Sequence, residues 1–160
     1  MNDERTRMSD FEGRLRTVED ELAIRNLVAR FTDAVNQRDT KAFKRLWSDD
    51  AVWEIGPPFS IKATGVEAIS GMLDELFKPK LLFVQLTHSG IIIFTGNDCA
   101  TGRFTERERG KGEGDFYENL AVYHDEYILS PDGWRFKRRY YEYRFLDTFA
   151  FSGEIVPRTR

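Results

Sequence analysis

The spacing of the apolar residues in this chain changes after residue 79. Before that point they recur every three or four residues, as in amphipathic helices, whereas beyond it they alternate, as in strands. The first part predicts helices over about 15–39, 41–47 and 66–77, with a short strand at 51–55. The second part predicts four long strands over about 82–95, 99–107, 117–129 and 134–145.

Helices followed by a run of antiparallel strands predict the α+β fold class. Because long strands twist, we expect the sheet to curl into a cone around the N-terminal helices. Helices across the mouth of such a cone would leave a pocket for a small molecule. The expected organisation is a single domain over 15–150, preceded by a flexible segment at 1–14 and followed by a tail at 151–160.

Composition excludes several classes of function. The net charge of −3 disfavours a nucleic-acid-binding protein. Cys99 is the only cysteine, so neither an internal disulfide nor a thiolate zinc site is expected. No apolar run reaches the length of a membrane span and no signal-like segment is present, which predicts no membrane association and a cytoplasmic location. Without a glycine-rich phosphate loop or a histidine–carboxylate cluster, no cofactor or metal is expected.

His88 is the main candidate for chemistry, because it lies in the most apolar stretch of the chain. Strict alternation places it on one strand face with six other residues: Leu82, Val84, Leu86, Gly90, Ile92 and Phe94. An imidazole titrates near neutrality and is costly to bury without a hydrogen-bond partner. His88 is therefore either a satisfied core histidine or a proton-transfer group that lines an apolar cavity.

A histidine base needs a partner that orients its ring. Asp33 and Asn36 lie near the end of the first helix, one turn apart and thus on one face. Asn36 could fix the imidazole tautomer but cannot accept its proton, whereas Asp33 could stabilise an imidazolium. Each has a structural alternative, since Asp33 also suits a solvated helix face and Asn36 a helix end.

Further residues are candidates for contact with a substrate. Phe31 and Trp53 suit either the core or an apolar pocket wall. Tyr123 could donate a hydrogen bond to a carbonyl or leaving oxygen, although alternation alone leaves open which face of 117–129 points inward. Arg138 could bind an anion or leaving group, or serve as a structural ion-pair partner.

Several stretches, in this order, resemble the SnoaL-like branch of the nuclear-transport-factor-2-like superfamily. They are VEDELAIRNLVARF at 18–31, AVNQRD at 34–39, FKRLWSDDAVWE at 43–54, GVEAI at 65–69, TH at 87–88, GNDCATG at 96–102 and YHDEYILSPDGWRF at 123–136. The resemblance covers about residues 18–145. It implies a cone-shaped sheet closed by helices, and a dimer that forms through the outer face of the sheet.

The resemblance also implies roles for single residues. Members similar to scytalone dehydratase, or to a dehydrochlorinase of chlorinated cyclohexanes, pair an aspartate at the helix end with a histidine on the first long strand. Here His88 falls on that histidine and Asn36 on that aspartate, while Trp53 and Arg138 fall on pocket positions. Asparagine for aspartate removes the charge-assisted hydrogen bond to an imidazolium.

These observations favour a cofactor-independent lyase or isomerase that acts on a small, largely apolar cyclic or aromatic molecule. In this hypothesis His88 abstracts a proton, Asn36 orients it, and Tyr123 or Arg138 binds the developing anion. The alternative is a non-catalytic ligand-binding protein, which is favoured by Asn36 at the position where those family members have an aspartate. A third is an accessory subunit like the small subunit of ring-hydroxylating dioxygenases. A homodimer is expected in the first two cases.

Overall fold

The computed structural model describes residues 2–78, 80–150 and 152–156, with side chains from residue 10 onward. Residue 1 of the expected N-terminal segment, and residues 151 and 157–160 of the expected tail, lie outside the described residues. The helices are α1 (Asn2–Gln37), α2 (Thr40–Lys44) and α3 (Val66–Phe77). The strands are β1 (Trp47–Ile55), β2 (Ile61–Thr64), β3 (Leu82–Phe94), β4 (Cys99–Lys111), β5 (Phe116–Ser130) and β6 (Gly133–Asp147).

The strands form one mixed sheet in the order β2-β1-β6-β5-β4-β3. The α+β class is confirmed, but the expected all-antiparallel sheet is wrong because β1 pairs with β6 in parallel. These two strands are separated in the chain by α3 and four other strands and are not joined by a hairpin, so no tight turn forces them to run in opposite directions. The short strand β2, which the apolar pattern does not predict, pairs with β1 at one edge.

A cluster of aromatic rings fixes α1 against the sheet. The ring of Phe31 on α1 is completely buried and lies 5.3–6.1 Å, between ring centres, from five other aromatic rings. They belong to Phe43, Trp47, Trp53, Tyr123 and Phe136. Edge-to-face contacts of this kind add about 0.5–1.5 kcal/mol per pair to the burial of the rings. They hold the C-terminal half of α1 over the middle of the sheet.

The helix α1 is longer than the sequence pattern predicts and has two apolar faces instead of one. Ile24, Leu27 and Val28 are buried, whereas Leu15 and Leu22 are largely exposed. The apolar spacing that predicts a helix over 15–39 therefore combines residues from two different faces of α1. Despite the length of α1, the helices in the described part of the chain contain no apolar stretch that could span a bilayer.

Two long strands contain β-bulges, one in β3 and two in β6. Between β3 and β4, Thr87 pairs with Glu106 and Gly90 with Phe104, so β3 holds one residue more than its partner. Between β5 and β6, Glu126 pairs with Arg138 and Tyr127 with Phe136, so β6 holds one extra residue there. A second extra residue lies between Tyr143 and Phe145, which pair with Ala121 and Leu120. An extra residue interrupts the alternation of side chains along a strand. The residues that face the helices therefore switch between odd-numbered and even-numbered positions at each bulge.

Candidate functional site

An apolar cavity of about 190 Å³ lies between the sheet and helices α1 and α3. Its wall is mostly aliphatic and aromatic, with contributions that include Val35, Ile55, Leu73, Phe77, Phe83 and the tyrosines 117, 123, 141 and 143. Among the described residues that line it, the charged side chains are Lys80, Glu108 and Asp115. A mainly apolar cavity with a few polar groups is the usual character of a small-molecule site.

Glu108 on β4 is the central polar residue of this wall. Its side chain is held from two sides: Gln85 Nε2 donates a 2.9 Å hydrogen bond to Glu108 Oε2, and the Tyr117 hydroxyl donates a 2.7 Å bond to Oε1. The pairing of strands explains the first contact, since Gln85 lies directly opposite Glu108 across β3 and β4. The carboxyl group is thus fixed in place at the cavity.

Burial raises the pKa of the Glu108 carboxyl above its ordinary value of 4.5. The hydrogen bonds from Tyr117 and Gln85, and the charge of Lys80, oppose this rise without cancelling it. Burial and the neighbouring Glu108 carboxylate likewise raise the pKa of the Tyr117 hydroxyl well above its usual value. Tyr117 therefore stays a hydrogen-bond donor, and Glu108 is the group of this pair that can exchange a proton, with a pKa above that of an ordinary glutamate.

Lys80 lies at the side of the cavity next to Tyr117. Its Nζ atom is 4.7 Å from the centre of the Tyr117 ring and 2.8 Å from Asp115 Oδ2. The Lys80 side chain is 12% exposed, whereas that of Asp115 is 64% exposed. This ion pair therefore ties the start of β3 to the β4–β5 connection, with Asp115 on its solvent side.

Glu106, two residues before Glu108 on the same strand face, is fully buried as well. Both of its carboxylate oxygens lie within 3.0 Å of the Thr87 hydroxyl, which in turn is 2.5 Å from the hydroxyl of Thr32 on α1. Burial, partly offset by the positive charge of Arg139, raises the pKa of Glu106 to about 8. Glu106 does not line the cavity, so we regard it as part of the support behind the wall.

Of the predicted substrate-contact residues, Phe31, Trp53 and Tyr123 line the cavity. The face of β5 that points inward, which the pattern left open, is the face that carries Tyr123. Asp33 is exposed on α1 and points away from the cavity wall. The structure therefore brings three of the predicted residues together, but not the acid that was expected to support a histidine.

Asn36 makes a pair of hydrogen bonds with the main chain of β3. Its Nδ2 donates to the Gln85 carbonyl oxygen at 2.8 Å, and its Oδ1 accepts from the Gln85 amide at 2.8 Å. The resemblance drawn from the sequence implied that Asn36 pairs with His88 on the first long strand. Here the strand residue at that place is Gln85, so Asn36 fixes the backbone that carries Gln85.

His88 does not reach the cavity. It is exposed and lies inside the β3 bulge, while Gln85 and Thr87 point toward the helices. Alternation counted back from Gly90 assigns His88 to the inward face, but the extra residue between Thr87 and Gly90 breaks that count. The expected placement of His88 on an inward apolar face is therefore wrong.

The first bulge of β6 has the same consequence for Arg138. This residue is exposed on the outer face, where Nη2 lies 3.0 Å from Glu54 Oε2. Its neighbour Arg139 points inward and is fully buried, with hydrogen bonds of 2.8 and 3.1 Å to Asp125. The Arg139 guanidinium lies 3.6 Å from the centre of the Tyr123 ring, so it supports the cavity wall from behind.

Sequence reasoning missed Glu108 and Gln85. A usable signal was present on β4, because alternation from Ala100 through Phe104 places Glu106 and Glu108 on the same face as these apolar residues. Two acids on the apolar face of a strand are uncommon and mark a built polar site. The nearby arginines made the segment resemble a solvated strand instead.

Comparison with known proteins supports this fold. A SnoaL-like domain model matches residues 16–140, whereas no curated protein matches the sequence significantly. Hexachlorocyclohexane dehydrochlorinase LinA-type3 from Novosphingobium barchaimii LL02 is 18% identical, with a TM-score of 0.81 over 89% of this chain and 99% of that chain. A scytalone dehydratase candidate from Novosphingobium aromaticivorans DSM 12444 is 16% identical, with a TM-score of 0.75 over 91% and 98%. The chain belongs to the SnoaL-like domain family.

Proposed function

We propose that this protein is a cofactor-independent lyase or isomerase in which Glu108 transfers the proton. The observation that supports this most strongly is a carboxyl group fixed by Gln85 and Tyr117 in the wall of an apolar cavity. Burial raises the pKa of this carboxyl group, so its ionised form is a stronger base than an ordinary glutamate, and its protonated form can return the proton as an acid. The role first assigned to His88 thus passes to Glu108.

The proposed step begins with ionised Glu108. One of its oxygens takes a proton from a substrate carbon, and the electron pair of that C–H bond forms a carbon–carbon double bond. In a lyase a leaving group departs from the adjacent carbon with its bonding electrons; in an isomerase the electrons pass to a carbonyl oxygen and the proton returns at another carbon. Tyr143 lines the cavity and makes no side-chain hydrogen bond among the described residues, so its hydroxyl is available to such an oxygen.

The cavity favours a small substrate with one ring. An apolar cavity of about 150 Å³ is large enough to bind benzene, and the cavity here measures about 190 Å³. Its aromatic wall suits a flat or cyclic apolar molecule. Two structural neighbours bear names that denote eliminations, dehydrochlorination and dehydration, which agrees with the lyase form of the proposal.

The proposal can be tested with a panel of single-ring ketones, alcohols and chlorides incubated in D₂O. We expect the wild type to catalyse deuterium exchange or elimination with at least one of them. Glu108→Gln should lower that rate by about 10²-fold or more, the usual contribution of general acid–base catalysis. Glu126→Gln, a glutamate on the outer face of the sheet, is the matched control. A Glu108→Gln protein with the full rate would contradict the proposal.

A second candidate is a binding protein without turnover. It is favoured by Asn36, which engages the main chain of Gln85 instead of a side-chain base. If this candidate is correct, at least one compound of the panel should bind to the wild type and be recovered chemically unchanged, without incorporated deuterium. Calorimetry of the wild type with each panel member, followed by mass spectrometry of the recovered compound, distinguishes the two candidates.

We also propose that two copies associate through the outer face of the sheet. Leu86, Ile91, Ile93 and Leu120 on this face are 43–54% exposed, and they lie on strands β3 and β5. Exposed apolar side chains clustered on one sheet face are typical of an interface. Light scattering of the wild type and of Ile93→Glu tests it: the variant should have a lower mass, and equal masses would count against this interface.

A further inference from the structure

The N-terminal half of α1 carries an apolar stripe that its own domain does not cover. Its members are between 46% and 64% exposed: Phe11, Leu15, Val18 and Leu22. They follow one another at intervals of four, three and four residues. This is the spacing by which one helix packs along another. The stripe is therefore patterned as a helix–helix contact surface.

The stripe points away from the sheet. Asp20 marks the opposite side of α1, because its Oδ1 accepts a 2.7 Å hydrogen bond from Trp134 Nε1 on β6. At about 100° per residue, Asp20 lies roughly opposite Val18 and Leu22. The buried residues Ile24 and Leu27 lie on the same side of α1 as Asp20. The domain therefore covers this side of the helix and leaves the stripe exposed.

The stripe is also partly separate from the family domain. The SnoaL-like match begins at residue 16, so Phe11 and Leu15 precede it, while Val18 and Leu22 lie within it. The same helix continues across this boundary without interruption. A contact surface here would thus add to the domain, and it differs from the outer face of the sheet.

We propose that a second copy of this chain covers the stripe, with the two α1 helices parallel and in register. The flanking charges decide the orientation. In a parallel pair Arg14 of each copy lies beside Glu19 of the other, which gives two attractive contacts. In an antiparallel pair Arg14 would face Glu21 and attract it, but Glu12 and Glu19 would face each other and repel, so the parallel pair is the arrangement without repulsion among these residues. Arg14 and Glu19 are both exposed and can make this contact.

Cysteine crosslinking of the full chain tests the pairing directly. In a parallel pair in register, each Val18 lies next to Val18 of the other copy. We expect Val18→Cys, in a Cys99→Ser background, to give a covalent dimer with a short bismaleimide. Arg16→Cys in the same background is the matched control, since Arg16 is exposed on the same helix but off the stripe. Circular dichroism melting checks that all variants fold alike.

Charge exchange then tests the orientation with the same readout. In the Val18→Cys background, Arg14→Glu alone and Glu19→Arg alone should each lower the crosslinking yield. An equal mixture of the two should restore it, because both contacts become attractive in the mixed dimer. The proposal is overturned if Val18→Cys crosslinks no better than Arg16→Cys, or if the mixture gives no recovery. It is equally overturned if a mixture of Leu15→Cys and Val18→Cys crosslinks better than Val18→Cys alone, which indicates antiparallel helices.

Discussion

At the scale of single residues, burial decides which acids of the sheet can exchange protons. Glu106 and Glu108 have the same side chain as the exposed Glu126 on β5, but they face the helices. Burial raises the pKa of both, and their hydrogen-bond partners differ: Glu106 contacts Thr87, whereas Glu108 contacts Gln85 and Tyr117. Of these two residues, Glu108 lines the cavity and Glu106 does not. Glu108 can therefore contact a bound molecule, whereas Glu106 can only support the structure around the cavity.

Glu106 makes the stability of the protein depend on pH. The folded state keeps the Glu106 proton up to about pH 8, whereas a glutamate in the unfolded chain releases it near 4.5. The native state therefore binds more protons in this window, and the free energy of unfolding falls as pH rises through it. Glu106→Gln removes this contribution, so urea titrations should show wild type losing roughly 3–5 kcal/mol more than the variant across the window.

The control for this experiment is Glu113→Gln, which changes an exposed loop residue. Its pH profile should follow that of the wild type. Parallel profiles for the wild type and Glu106→Gln would show that Glu106 is ionised in the folded protein at neutral pH.

His88 provides a prediction of the opposite kind. Because it is exposed in the β3 bulge and does not line the cavity, His88→Ala should leave both stability and ligand affinity within about 0.5 kcal/mol of wild type. Calorimetry with any ligand found in the panel measures the affinity. A large loss of affinity or turnover in this variant would return the chemical role to His88.

At the scale of elements, the bulges explain why the sequence predicted the strands but not the site. Alternation correctly places four long strands, and it places Tyr123 with the inward residues of β5, which has no extra residue. One additional residue on β3 and two on β6 each switch the following side chains to the opposite face of the strand. His88 and Arg138 were assigned across these points, whereas Phe31 and Trp53 lie on elements where the apolar pattern is unbroken.

Close packing gives the β3 bulge a physical basis that the apolar pattern does not show. A Cβ atom on Gly90 would lie 2.3 Å from the Phe104 ring and 2.6 Å from the Arg103 carbonyl oxygen. The backbone of β3 can therefore approach β4 at this point only as glycine. This contact depends on which strand lies next to β3. The spacing of apolar residues within β3 does not reveal its neighbour.

The contact between α1 and β3 rests on the amide of Asn36, which both donates to and accepts from Gln85. Asn36→Asp keeps the acceptor but replaces the donor with a carboxylate oxygen that faces the Gln85 carbonyl. At neutral pH this should lower the free energy of unfolding by about 1–3 kcal/mol. Acidification should recover part of the loss, because a protonated aspartate can donate again; urea titration at pH 7 and pH 4 measures this. Equal losses at both pH values would contradict the assigned contact.

At the scale of the whole molecule, the order of helices and strands was sufficient to predict the class and family. The helical spacing before residue 79 and the alternation after it indicate helices packed on one sheet, and the observed α+β fold agrees. The parallel pairing of β1 with β6 could not be predicted, since it joins distant segments. The cavity could not be predicted without the bulges of β3 and β6, because they decide that Gln85, Arg139 and Tyr141 face the helices.

Glu108 in the cavity wall holds its proton at a pH where ordinary glutamates have lost theirs, because burial raises its pKa. Infrared difference spectra of wild type minus Glu108→Gln, recorded across a pH titration, isolate the carbonyl band of protonated Glu108. We predict that this band persists above pH 4.5, the ordinary value for glutamate, and disappears nearer to neutrality. A band that vanishes at or below pH 4.5 would show that Glu108 is an ordinary carboxylate and would contradict the account.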